Sequence, residues 1–241
     1  MLLRRADLLS LSYMVGYPAL IGWQWMNGVE WYLYLVVLVM SVGLSVVQHN
    51  HTHLRMWSSK PLNRITDLWL SILQATPSFV FFPSHISNHH RYKHGPEDET
   101  RTYRFGGHHN HIIGYLLHPL QALYVLPNTL ITYARKRANT RDYWPLVELG
   151  LIAAVSVVLA WMDAWLWLTL VLVPQMHGLH WLLGANYLQH AGADPGTGPD
   201  AATDGSLAFS RNFTGWVNLV WFNIGYHTAH HENGRTHWSD L

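Results

Sequence analysis

Four long apolar runs alternate with polar, histidine-rich connections along the chain, and each run is long enough to cross a bilayer as a helix. Residues 31–48 form the cleanest of them: no charged side chain interrupts the run, and it ends directly at His49. Residues 8–26 are more dilute, with Ser10, Ser12 and Tyr13 among the apolar positions and Gly16 and Pro18 inside the run. Arg4 and Arg5 ahead of it would suit a secretory signal, but Trp23 and Trp25 stand where cleavage needs small residues, so the segment reads as a retained span. Residues 145–161 and 164–185 supply the third and fourth spans, joined through Met162 and Asp163. Residues 68–82 and 112–133 are apolar but are interrupted or ended by Pro77, Pro83, Pro119 and Pro127, which predicts broken helices lying along the membrane interface or dipping into it. Residues 191–205, rich in Gly, Pro and Asp, read as a flexible loop. The expected fold is all-α and integral to the membrane: one domain over residues 1–241, with four transmembrane helices, interfacial helices and a histidine-rich helical cap.

Charge gives these spans a direction. All 15 Lys and Arg residues fall on one side, while the opposite turns hold only Glu30 and Asp163 among Trp23, Trp25, Trp31, Trp161, Trp165 and Trp167. Both termini and the histidine-rich connections are therefore expected on the cytoplasmic face. Only 12% of residues are charged against 49% hydrophobic, too little solvated surface for an ordinary soluble domain. A net charge of +1 argues against a nucleic-acid partner. Cysteine is absent, which removes thiolate zinc sites, iron–sulfur clusters and covalently attached haem, and leaves the redox compartment unread.

Histidine carries the candidate chemistry. His227, His230 and His231 occupy positions i, i+3 and i+4, one face of a helix, and His49 with His53 and His85 with His89 repeat the i, i+4 spacing. A lone histidine on an apolar helix is ordinarily a hydrogen-bonded core residue; three such clusters in one chain are not a chance pattern. Neutral imidazoles converging on one region suit a borderline transition metal. The adjacent His89 and His90 can place one ring on each of two metals, and residues 186–190 run out of the fourth span with Asn186 and His190 at i, i+4. His49, His53, His85, His89, His90, His190, His227, His230 and His231 make nine of the 18 histidines, enough for two ions with an open position, and Asn186 can contribute through a water. Glu232 and Asp98 are candidate acceptors that orient imidazoles. Ser41, Gly43, Ser45, Gly178 and Gly184 leave room between the second and fourth spans for an apolar chain reaching the metals. His51 lies on the wrong face for ligation, His177 and His180 are left open, and His94, His108, His109, His111, His118 and His237 read as solvated or facing lipid headgroups.

The three clusters at the ends of four spans resemble the membrane fatty acid desaturase and hydroxylase superfamily. Leu62-Asn63-Arg64 trails the first cluster as a similar element does in many desaturases, Asn186 to His190 resembles an N-x-x-x-H element of that group, and Asn223 to Glu232 reads like its third histidine box. The resemblance covers residues 45–238. It implies a histidine-ligated di-iron centre, two iron ions that use O2 to abstract hydrogen from a fatty acyl or other lipid chain. Electrons would come from a separate ferredoxin, rubredoxin or cytochrome, because no fused cytochrome domain is present. Desaturation is favoured over hydroxylation of an alkane, fatty acyl or carotenoid substrate, since the second box lacks the Glu of the alkane-hydroxylase pattern, although Asn186-Tyr187 with His190 also resembles that group. The chain stops at Leu241, where many relatives continue, which allows for a truncated end. A reading of another class is a membrane protein that binds haem or metal without oxygen chemistry; paired axial ligands on facing spans, or ligands at the bilayer midplane, would be its marks, and the pattern has neither. A first prediction separates ligands from bystanders. His230→Ala should abolish activity, whereas the triple change His108→Ala, His109→Ala and His111→Ala should leave the iron content of the purified protein unchanged, as read by mass spectrometry of the metal.

Overall fold

In the computed structural model the described residues, 1–104, 111–193 and 209–241, are helical, with no strand among them beyond one isolated bridge between Leu2 and Trp57. The chain divides into two compact units, residues 1–79 with 140–181 and residues 80–139 with 182–241.

The first unit contains helices α1 (Asp7–Asn27), α2 (Trp31–His53), α3 (Lys60–Gln74) and the helix Trp144–Met162, together with the first part of the run Ala164–His190. Trp31–His53, Trp144–Met162 and Ala164–His190 are long and apolar enough to cross a membrane, and Lys60–Gln74 with Ser78–Tyr92 passes the same test as one broken pair. The expected span at residues 8–26 forms a 21-residue helix, Asp7–Asn27, which Ser10, Ser12, Tyr13, Tyr17 and Gln24 leave less apolar than those three. Pro77 does end α3 as expected, after Ala75 takes a left-handed backbone with φ of 47°.

Polarity in this unit is turned inside out. Along α3 the buried positions include Thr66, Asp67, Ser71 and Gln74, while Leu62, Ile65 and Trp69 are exposed. In Trp144–Met162 only Pro145 and Glu148 are buried, and the aliphatic residues face outward. Water would not tolerate so much contiguous apolar surface, whereas lipid favours it. Buried polar groups in such helices need partners inside the protein, and several have them: Glu148 accepts hydrogen bonds from Ser71 Oγ and the Phe79 N–H, both at 3.1 Å, Ser45 Oγ donates to Gln74 Oε1 at 2.6 Å, and Gln48 donates to the Thr76 carbonyl at 2.7 Å.

The room expected at Gly178 is taken. A Cβ there would lie 2.7 Å from the Ser41 carbonyl oxygen and 3.0 Å from Gln74 Oε1, so this glycine lets two helices touch instead of opening a channel. Ser41 is fully buried, with its hydroxyl donating to the Leu38 carbonyl and 3.1 Å from His177 Nδ1. His177, left open by the pattern, is thus a packing partner of α2.

The second unit contains a π-helix, Phe81–His89, continued by His90–Tyr92, then α4 (Ile112–Asn139), and the last turns of the helix here called α6, Val173–His190, with Trp144–Met162 counted as α5. Two short helices follow, α7 (Trp216–Val220) and α8 (His227–Glu232). Pro119 and Pro127 do not break α4, contrary to expectation, and Pro83 lies inside the π-helix. Each proline removes one backbone bond, but flanking turns and neighbouring groups carry a helix across such a gap where the surroundings are apolar. Ile112, Ile113, Leu116, Leu117, Leu120, Leu123 and Tyr124 of α4 are exposed, again an outward apolar face. His108, His109 and residues 194–205 of the expected flexible loop lie outside the described residues.

Gly178→Leu should destabilise the protein by about 1–3 kcal/mol through forced overpacking, read as a lower melting temperature by circular dichroism in detergent. Unchanged melting would mean that α2 and α6 do not approach this closely.

Candidate metal centre

In the second unit four histidines gather around one point. His89 comes from the π-helix, His190 from the last turn of α6, and His227 and His231 from α8; all are buried, and their ligand atoms lie within 4.8 Å of one another. His190 Nε2 is 2.9 Å from His227 Nε2, His231 Nε2 is 3.0 Å from His227 Nε2, and His231 Nε2 is 3.1 Å from His89 Nε2.

The other ring nitrogens fix the tautomers. His89 Nδ1 donates to Asp98 Oδ2 at 2.7 Å, and His190 Nδ1 donates to the Phe209 carbonyl at 2.7 Å. Both Nε2 atoms therefore present lone pairs. His227 and His231 could each offer a proton to one of them, but their own two N–H groups would then oppose each other at 3.0 Å. A cation among the four nitrogens removes this conflict. At separations of 2.9–3.1 Å the nitrogens are close enough together for these four residues to hold one ion between them. Burial first, and then the neighbouring imidazoles, lower the pKa values of His227 and His231 well below the ordinary histidine value, so both rings are neutral and available as ligands at pH 7.

Asp98 is built to hold His89. Burial by itself would raise its carboxyl, but the electrostatic interaction with His89 and the hydrogen bond that this ring donates, with help from His190 and the Thr100 N–H, hold it well below the usual carboxylate range. Its oxygens also accept the His94 N–H at 2.9 Å, the Thr100 N–H at 2.7 Å and Thr100 Oγ at 2.8 Å. Asn88 ties the same loop down, its amide donating to the Glu97 carbonyl while its own carbonyl accepts the Glu99 N–H.

The same unit brings His85, His90 and His230 together in a second group. His85 and His90 lie five residues apart, and their Nε2 atoms are 3.1 Å apart. This corrects the expected pairing of His85 with His89 on an α-helical face. The segment is a π-helix, in which the His90 N–H reaches the His85 carbonyl, so residues five apart align and His89 turns to the other group. In the first unit His49 and His53 close the end of α2 with ring centroids 4.7 Å apart. His51 faces away, accepting the Met56 N–H on Nδ1, and is buried beside the Asn63 carbonyl and Asp67.

Local sequence explains α8. Asn212 Oδ1 accepts the Thr228 N–H at 2.8 Å, satisfying the free first turn. Ahead of it Phe222 and Asn223 take positive φ, and a Cβ on Gly225 would meet Asn218 Oδ1 at 2.3 Å, so only glycine fits.

Other expected residues fall differently. Asn186 Oδ1 lies 2.9 Å from His118 Nε2. Glu232 is exposed, with no hydrogen bond to an imidazole among the described residues. Gly184 is closed by Tyr115, whose ring a Cβ would meet at 2.6 Å, while Gly43 and Ser45 are buried in α2. His94, His118 and His237 are buried, not solvated. His94 bonds Thr102 and His237 Nδ1 accepts the Ser239 N–H, so each stitches a turn; His111 is exposed, as expected, and caps α4 by accepting the Gly114 N–H. Phe209, whose carbonyl orients His190, carried no sequence signal.

Helices long and apolar enough to cross a membrane, together with buried, convergent imidazoles that could hold a metal ion, fit a histidine-rich membrane protein. A sequence model for fatty acid desaturases matches residues 3–241, and the chain belongs to that family. No curated protein and no solved structure gives a match.

Asp98→Asn should weaken metal binding by about 10–100-fold, the usual cost of losing a group that orients a ligand, measured by competition with a chelator. Unchanged affinity would mean that His89 is held without the carboxylate.

Proposed function

We propose that the chain is a membrane oxidoreductase that desaturates a fatty acyl chain at a centre of two iron ions, with O2 as oxidant and electrons from a separate ferredoxin, rubredoxin or cytochrome. The observation that carries this reading is the pair of histidine groups fed by one π-helix, in a chain of the desaturase family. His89, His190, His227 and His231 would hold one ion. His85, His90 and His230 would hold the other, and the i, i+4 spacing of His49 and His53 supports these two as further ligands. Asn186, expected to reach the centre through a water, instead has its Oδ1 2.9 Å from His118 Nε2. When bound, the iron pair supplies reductive activation of O2: two electrons and two protons are taken up, two hydrogens leave neighbouring carbons, and O2 becomes two waters.

The protein's own part is positioning and exclusion. Asp98 and the Phe209 carbonyl keep His89 and His190 in the tautomer that presents Nε2. Burial keeps His227 and His231 neutral and water away from them. The outward apolar faces of α4, α5 and α6 support a bilayer setting, in which an acyl substrate is already dissolved. The one-sided distribution of Lys and Arg supports a cytoplasmic site, on the side where soluble electron donors reside.

Lipid extracts of cells with and without the protein, compared by mass spectrometry, test the reaction. Desaturation predicts products lighter by two hydrogens. Products heavier by one oxygen, without the lighter species, would make the chain a hydroxylase.

A further inference from the structure

α4 packs behind the buried histidine group and touches both of its supports. At its start, Gly114 leaves space that Tyr187 fills, the tyrosine hydroxyl lying 2.1 Å from where a Cβ would be, and Tyr115 reciprocally fills the space beside Gly184. One turn on, His118 Nε2 meets Asn186 Oδ1 at 2.9 Å, one helical turn before His190. Further along, Gln121 donates to the Arg101 carbonyl at 2.8 Å, and Thr129 Oγ donates to Glu99 Oε1. Positions 114, 118, 121 and 129 share one face of the helix. That face therefore holds the last turns of α6, which carry His190, and the loop around Asp98, which holds His89.

His118 is the polar contact at the centre of this face. It is 5% exposed on a helix whose opposite side is apolar, and nothing in its sequence context, a lone histidine before Pro119, marks it. Asn186 has its carbonyl oxygen taken by this ring, so the orientation of its carboxamide is set from α4. Without a donor at position 118 that oxygen would lose its partner inside the protein, and the turn leading to His190 would lose its tie.

We propose that His118 is a positioning residue for the buried metal group, donating Nε2–H to Asn186 Oδ1 and so locking the turn of α6 that presents His190. This rests on the metal reading above. His118 is not a ligand in either group; it acts through Asn186 and His190.

The test uses the full chain in detergent, loaded with iron, with metal release to excess chelator followed over time. His118→Leu should release metal roughly tenfold faster than the wild type, at the lower end of the cost of losing an orienting group. His118→Gln, whose amide N–H can reach the same oxygen, should restore slow release. Asn186→Leu should match His118→Leu, and the two changes together should add nothing further, because both remove one interaction. With cobalt in place of iron, the visible spectrum should shift in His118→Leu and not in His118→Gln. Wild-type release and spectrum in His118→Leu would overturn the proposal alone, as would release from His118→Gln as fast as from His118→Leu. If His118→Leu does not fold, Asn186→Leu decides: release at the wild-type rate overturns the proposal. A wild-type chain that takes up no metal would overturn this proposal and the metal reading together.

Discussion

A neutral imidazole presents the lone pair of one nitrogen when its proton is held at the other, as it is in His89 and His190. That constraint organises the second unit. His89 is committed to Asp98 and His190 to the Phe209 carbonyl, each at 2.7 Å, and the remaining nitrogens approach to 2.9–3.1 Å around a common point. The loop of Asp98, the last turn of α6 and the strained approach to α8 exist to hold those commitments. A backbone with positive φ at Phe222 and Asn223 is costly unless surrounding bonds over-determine it, and here the Asn223 amide donates to the Trp238 carbonyl while Gly225 donates to Asn218.

The first unit obeys the complementary rule. Helices α3 and α5 turn polar residues inward and aliphatic residues outward, so the buried hydroxyls, amides and carboxyls need partners within the bundle. Glu148 illustrates the cost: a carboxyl on an apolar helix persists because Ser71 and the Phe79 N–H both donate to it. The same bonds satisfy backbone groups beside the break at Pro77, where α3 ends and the chain turns toward the π-helix. An apolar exterior and a hydrogen-bonded interior are one solution to having lipid as solvent.

Much of this was legible in the chain because it depends on local spacing. The i, i+3, i+4 histidines of α8, the helical i, i+4 spacing of His49 and His53, the placement of His89 and His90 in different groups and the candidacy of Asp98 follow from period and residue type. What was not legible depends on tertiary context. A π-helix has no strong sequence mark, so the alignment of His85 with His90 in place of His89 could not be read. A backbone carbonyl such as that of Phe209 has no residue-type signature at all. Pro119 and Pro127 argue for a break only where nothing bridges it, and His118 beside Pro119 looked like any isolated polar residue. Gly178 and Gly184 announced small volume, but volume can admit a substrate or a neighbouring helix, and in both cases a side chain or carbonyl of the protein fills it.

The central claim is that the buried imidazoles hold a pair of metal ions. Iron quantitation on the purified wild-type protein, combined with its optical spectrum, tests it most directly. The account predicts about two iron ions per chain and no haem Soret band. One ion per chain, or a Soret band, would contradict it.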